Sequence, residues 1–352
     1  MITIKKAALT LVGLAALDTL NVPALAQSGL IAPRPMTSPQ PPQPTNAAGL
    51  TTDGWVTVRY SVLADGTPAN VRAINQMPPS IDTAPTLETF GRWTFFPGSQ
   101  NGQAIDWHNN ETIVVFRSQG GLADGPGSFR ENYAAILSTL DAEEPDPETL
   151  RDALAANRTL LSEHAVTLGE IGLALLQTAV IHNLAQNPHE ALAPIQMATD
   201  PRVPMLSHVE LFPAVRLRIE VENALGRTRE AFESFNRLRL GLGTTEPSQE
   251  FLGFGRTLQI NLATQGLLEV KGRIGEQPWR YDASRPFFYL DGIEGEIRTI
   301  DLECDTRRLS IEFDAEADYQ LPDSLGDCTV FVGGAPGTTF SFNEALPPEE
   351  EE

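Results

Sequence analysis

Residues 55–63, WVTVRYSVL, place Val56, Val58, Tyr60 and Val62 on one side of an alternating pattern, the period of a β-strand. Ala64-Asp65-Gly66-Thr67 follows, with an Asp-Gly pair that supplies the positive φ angles of a tight hairpin. The chain returns through Val71, Ala73 and Asn75 and breaks at Pro78-Pro79. A helix is predicted within 81–93, burying Leu87 and the run from Phe90 to Trp93. After a turn over 97–102, the segment 111–117 closes the unit as a third strand. A strand–strand–helix–strand unit is therefore expected over 49–118.

The segment before it reads as targeting followed by spacer. Lys5 and Lys6 form a positive start, 7–17 an apolar run, and Ala24-Leu25-Ala26 a small-x-small cleavage site, which together predict a signal peptide over 1–26. As a helix that apolar run reaches only about 17 Å, against the roughly 30 Å hydrocarbon core of a bilayer. Asp18 interrupts it, so the mature chain is expected to start near Gln27 in the periplasm, without stable membrane insertion. Residues 27–48, rich in Pro, Gln, Ser and Thr, predict an extended, polyproline-like linker.

The order of strand, Asp-Gly, strand, helix, Trp-x-Phe-x-Pro, Gly and a last strand resembles the C-terminal domain of TonB, the energy transducer of Gram-negative outer-membrane transport. Gly54, Val56, Val58, Val62, Asp65, Gly66, Asn70, Val71, Trp93, Phe95, Pro97, Gly102, Ile113 and Phe116 carry the resemblance. It implies that Gly66, Trp93, Phe95 and Pro97 belong to the structural core of the unit. It also implies that Glu111, Thr112, Ile113, Val114, Val115 and Phe116 form an exposed edge strand, which accepts a partner's peptide by strand addition. The sequence departs from TonB elsewhere. A TonB transducer has an uncleaved transmembrane helix with a functional His and a long charged spacer, whereas the first His here is His108 and the tether is short.

A Gly-rich linker is expected over 119–129, and its GGLADG run at 120–125 lacks the following strand and acidic residue of a nucleotide site. From 130 to 250 the spacing is helical, with Asp146-Pro147-Glu148 as a helix start. NLAQNPHEALAPI from Asn183 and NALGRTREAFESF from Asn223 align at a 40-residue offset, pairing Glu190 with Glu230 and Ala191 with Ala231. This is similar to tetratricopeptide repeats, whose period is about 34 residues, with the DPRVP insert at Asp200 accounting for the excess. Such solenoids present a groove to another protein, and an ordinary helical bundle is the alternative. His182 and His189 lie seven apart with no acidic partner in register, which reads as surface or satisfied histidines rather than metal ligands.

Strand patterns resume over 256–346, at 266–274, 285–293, 296–304, 309–315, 328–334 and 338–345, and predict an antiparallel sandwich or barrel. Both cysteines, Cys304 and Cys328, fall here and are expected to form a disulfide in an exported protein. Residues 347–352 form an acidic tail. The fold class is thus α+β and multidomain: a small TonB-like β-β-α-β domain, a helical repeat-like middle and a C-terminal antiparallel β domain.

With 25 Lys and Arg against 46 Asp and Glu, a net charge of −21 excludes nucleic acid and anionic membrane surfaces as partners. No metal-ligand spacing, nucleophile elbow or Ser-His-Asp arrangement stands out, so neither an enzyme nor a cofactor is expected. The function expected is an exported periplasmic adaptor that engages an envelope or outer-membrane protein by strand addition. The alternatives are a ligand-binding or hydrolytic C-terminal β module docked by the TonB-like domain, and a TonB-type transducer. A deep pocket lined by acids or His near Trp279, Tyr281 and Tyr289 would favour the β module, and a flat surface there the adaptor.

Overall fold

The computed structural model describes residues 29–44, 53–117, 128–140, 145–241 and 249–346; the expected signal segment, most of the Gly-rich joint and the acidic tail lie outside them. The Pro-rich stretch that opens the described chain is extended, but over 29–44 it is a strap laid on the first unit rather than a free tether. Leu30–Ile31 (β1) pairs antiparallel with residues 98–100, and Arg34–Thr37 (β2) with residues 94–96. Pro35 fits there because an edge strand tolerates a missing donor. The Arg34 guanidinium lies 5.1 Å from the centre of the Phe96 ring, and Trp93 Nε1 donates to the Pro39 carbonyl at 3.0 Å.

Gly54–Val62 (β3) is the central strand of a sheet that also contains Pro68–Met77 (β4). The register slips by one residue between Arg59 and Ser61, a bulge absorbed by Asn70 at φ 52°, where a short amide side chain tolerates the left-handed region. The helix Ala84–Phe90 (α1) closes one face of the sheet. Thr94–Phe96 (β5), Gly98–Gln100 (β6) and Gln103–Ile105 (β7) follow as short strands, and Trp107–Phe116 (β8) completes the order β4-β3-β8. All nine residues of β3 are buried, which a three-stranded sheet with one helix cannot achieve unaided.

The second cover comes from the helices. Ser128–Leu140 (α2), Pro147–Thr159 (α3), Leu168–Leu184 (α4), Pro188–Ala198 (α5), His208–Ala224 (α6) and Thr228–Gly241 (α7) follow in sequence. Asp146 caps α3, accepting from the Glu148 and Thr149 amides at 2.9 Å. The 40-residue offset is met at each corner of the two hairpins α4–α5 and α6–α7. Their capping boxes start at Thr167 and Ser207, and their turns use Gln186 at φ 53° and Gly226 at φ 73°. The stretch between the hairpins, 199–206, sends Val203 and Met205 into a core with Trp55, Met77, Leu168 and Ile171.

The helical region runs further than 250. Gln249–Thr264 (α8) occupies positions where the β unit was expected to begin at 256. Gly253 and Gly255 dilute its apolar pattern, yet Gly255 is what lets the Phe235 ring lie against the helix, where a Cβ would overlap it.

The β unit then forms two four-stranded antiparallel sheets. Leu267–Arg273 (β9), Trp279–Asp282 (β10), Phe287–Glu294 (β11), Ile297–Cys304 (β12), Arg308–Glu312 (β13), Tyr319–Gln320 (β14), Cys328–Gly334 (β15) and Thr339–Ala345 (β16) are ordered β10-β15-β12-β13 and β14-β11-β16-β9. One core lies between them, with Val270, Phe288 and Phe342 from one sheet and Ile300, Val330 and Val332 from the other. Cys304 and Cys328 sit opposite each other in the β12–β15 register and are joined by a disulfide.

A candidate partner edge and the cleft beside it

Gly66, Trp93, Phe95 and Pro97 build the support of the edge strand rather than its surface. Gly66 holds φ 86° in the hairpin turn, and an added Cβ would collide with the Phe95 carbonyl; Phe95 N donates to Gly66 O at 2.9 Å. Phe90 stacks on Trp93 with ring centroids 4.3 Å apart and meets Tyr60 at 4.6 Å. Pro97, half-buried, joins β5 to β6.

β8 is the outer strand of its sheet, and no strand among the described residues pairs with its far side. Its side chains are already engaged. Val114 and Phe116 pack with the α1 face, and Thr112 Oγ1 lies 3.2 Å from Tyr60 Oη. Ile113 and Val115 face the helices with Trp55. Glu111 is held by Arg280 at 3.1 Å, Arg59 at 3.3 Å and Arg202 at 3.4 Å. What β8 has left to offer over these six residues is backbone.

The start of β8 is fastened elsewhere. A register slip between Tyr60 and Val62 bulges the strand around His108 and Asn109. The freed His108 amide donates to Asp305 O at 2.8 Å, and Asn109 Nδ2 to Asp327 O at 3.5 Å. Burial, with the nearby Arg308 charge, holds the His108 pKa below the usual histidine value. Asp305 is pushed up to about 6, chiefly by its burial.

Arg59 joins the first and last units. It is 1 % exposed on β3, donates from Nη1 to Glu303 Oε2 at 2.9 Å, and lies 5.0 Å from the centre of the Phe331 ring. Burial lowers its pKa and so does Arg280, while Glu303 and Glu111 oppose the shift. Glu303 also accepts from Arg72 at 2.6 Å. Burial alone would raise the Glu303 pKa, but the Arg72 hydrogen bond and the charges of Arg59 and Arg72 carry it below the usual value.

A cleft of about 1350 Å³ opens where the three regions meet, lined by Asn109 and Glu111 of β8, by α5, α6 and α7, and by the edge of the β unit. Trp279 and Tyr281 line it and Tyr289 does not. Arg227 lies 5.1 Å from the Tyr281 ring centre, donates to Glu230 Oε1 at 2.9 Å and to Arg280 O at 3.0 Å. Arg229 Nη2 donates to Asp282 O at 2.6 Å. Two buried polar atoms on this wall, Arg229 Nε and Glu230 Oε2, have no hydrogen-bond partner among the described residues. Burial raises the Glu230 pKa, against the pull of Arg227 and Arg229. His189 titrates below its usual value through burial first, then the charges of Arg273, Lys271 and Arg227. Among the described residues no group of three or more His, Cys, Asp or Glu is placed to hold a metal ion, and no helix is long and apolar enough to cross a membrane.

Arg59, Arg227, Arg229 and Glu303 were not singled out from sequence. Arg59 had one visible signal, its place in step with Trp55 on the face opposite the valines. Arg227 and Arg229 carry no such signal, because the walls they face, from β8 and the β unit, are distant in sequence. Set against known proteins, the chain matches no curated entry. Residues 39–117 match the family model described as Gram-negative bacterial TonB protein C-terminal, which suggests a TonB-like protein-interaction role in the cell envelope for this part of the chain.

Proposed function

We propose that the protein is a periplasmic adaptor that captures an envelope or outer-membrane protein by taking an extended segment of it as an added strand on β8. The observation that carries this is the state of β8, an edge strand whose side chains at 111–116 are all committed internally while its outer backbone is unclaimed by any strand among the described residues. Added backbone hydrogen bonds are the means by which such an edge binds. The matching 40-residue corners of the two helical hairpins support a tetratricopeptide-like scaffold in the middle of the chain, and the protein is read as neither an enzyme nor a cofactor carrier. Export rests on the signal-like pattern of 1–26.

The test is crosslinking capture from the periplasm with the wild type and with Val114→Pro, which removes a donor from the edge. Loss of the captured protein by a variant that keeps its circular dichroism and melting profile supports strand addition. Equal capture by the folded variant rules it out. N-terminal sequencing of the exported protein separates the adaptor from a transducer, which needs an uncleaved anchor.

The cleft beside Trp279 and Tyr281 favours a second reading, in which the β unit contributes a ligand-binding site.

A further inference from the structure

Charge is distributed unevenly around the cleft. Eight of the 25 Lys and Arg residues line it, against eight of the 46 Asp and Glu, so its wall is neutral in a chain of net charge −21. An acidic ligand approaching this wall meets less repulsion than the chain's net charge alone would give it. Most of the basic groups are tied to acids: Arg202 to Asp200, Arg227 to Glu230, Arg273 to Glu190 and Arg280 to Glu111 on the same wall, and Arg218 to Glu222 behind it. Arg237 and Lys271 are different. Both are exposed, and among the described residues neither has an ion pair. Lys271 is also the only Lys of the chain beyond Lys6. Around His189 the positive charges of Arg273, Lys271 and Arg227 outnumber the one acid there, Glu190, so the α5–β9 side of the cleft carries an excess of positive charge. A buried donor without a partner among the described residues, Arg229 Nε, lies on the same wall, beside the unpartnered acceptor Glu230 Oε2.

The shape favours a polypeptide. Asn109 and Glu111 belong both to the cleft wall and to β8, so the cavity opens onto a strand edge with unclaimed backbone groups. Trp279 and Tyr281 are 9 % and 2 % exposed, so neither ring presents the open stacking platform that a sugar would use. We propose that the cleft is a binding site for an acidic, extended peptide segment, one end of which pairs with β8 while its carboxylates meet Lys271, Arg237 and the Arg229 guanidinium. The course of the peptide along β8 rests on the strand-addition reading; its charge rests on the cleft alone.

The experiment uses the full mature chain and two labelled peptides of about 12 residues, long enough at ~3.4 Å per residue to follow β8 and enter the cleft. One alternates Thr with Glu and the other Thr with Gln, and binding is read by fluorescence anisotropy. The Glu peptide is expected to bind at least about tenfold tighter at low salt, with the advantage shrinking as added salt screens it. Arg237→Glu combined with Lys271→Glu should erase that advantage while melting is unchanged, since both side chains are exposed and outside ion pairs. Equal binding of the two peptides, or an unchanged preference in the folded double variant, overturns the proposal. Val114→Pro should weaken both peptides alike. If it leaves both unchanged while charge reversal still abolishes the preference, the cleft's selection of acidic peptide stands and strand addition falls.

Discussion

Arg59 on β3 donates to Glu303 on β12 across 2.9 Å, joining residues 244 positions apart and tying the first folded unit to the last. The pair is buried, with Glu111 and Phe331 completing the surroundings of the guanidinium. Breaking a buried pair costs about 3–5 kcal/mol when the remaining charge is left uncompensated, but here Glu303 keeps Arg72 and Glu111 keeps Arg280 and Arg202. Arg59→Met is therefore expected to cost less than that, about 1.5–3 kcal/mol in denaturant unfolding for the lost charged hydrogen bond, and to separate the transitions of the two units. Arg72 also bonds Glu303 but is 43 % exposed in its side chain, and Arg72→Met should cost under about 1 kcal/mol. Equal costs for the two variants would show that Arg59 is not the joint.

The contrast between Val58 and Arg59 explains how far the sequence could be read. Val56, Val58, Tyr60 and Val62 announce a buried face by period alone, and the Asp65-Gly66 turn and the Trp93-x-Phe95-x-Pro97 run fix the neighbours in order. The opposite face, Thr57, Arg59 and Ser61, reads as a solvent face and is instead buried by other regions of the chain. Period reports amphipathicity within one element and says nothing of which distant element covers the polar side. The insert at Asp200 likewise reads as surplus length, while Val203 and Met205 are its docking residues. Trp279 and Tyr281 mark in the sequence a place to look for a pocket, but its opposite walls are illegible for the same reason, because the cleft exists only once β8, α7 and β10 have come together.

The strap over 29–44 should stabilise the unit it lies on. It adds strand pairing to β5 and β6, the Trp93–Pro39 hydrogen bond and the Thr37–Thr94 hydroxyl contact at 2.7 Å. At about 0.5–1.5 kcal/mol for a hydrogen bond and about 4–8 °C per kcal/mol in a domain of this size, a fragment of residues 29–117 should melt several degrees above one of 53–117. Both fragments bare Trp55 and Ile113, which the helices cover in the whole chain, so they are compared at equal, low concentration. Coincident melting curves would mean that the strap contributes nothing.

Asp305 makes stability depend on pH in a defined direction. Its pKa in the folded chain is raised to about 6 from an ordinary 3.8, mainly by burial, so the fold disfavours its charged form. Its contribution is most favourable at low pH, where the group is protonated folded and unfolded, and is lost as pH rises from about 4 through about 6. Asp305→Asn removes the titration and keeps an oxygen that can accept from the Asp327 amide, a bond of 3.0 Å in the structure. The stability of the variant relative to the wild type should therefore be greater at pH 7.5 than at pH 4. A difference that does not change across this range would remove Asp305 as the source.

The disulfide is placed to act on more than its own sheet. It closes a loop of 24 positions, which on the chain-entropy account stabilises by about 3.5 kcal/mol. Its neighbours along the chain on both sides of Cys304 reach the first unit: Glu303 holds Arg59 and Arg72, and Asp305 O accepts from the His108 amide. Asp327, beside Cys328, accepts from Asn109 through its carbonyl. Replacing both cysteines by serine should thus lower the melting temperature of the β unit and also loosen the bulged start of β8. Hydrogen exchange separates the two effects. The His108 amide should exchange faster in the variant than in the wild type, while that of Val58, in the middle of β3, keeps its protection under native conditions. Slowed or unchanged exchange at His108, with the β unit destabilised, would confine the disulfide to its own sheet.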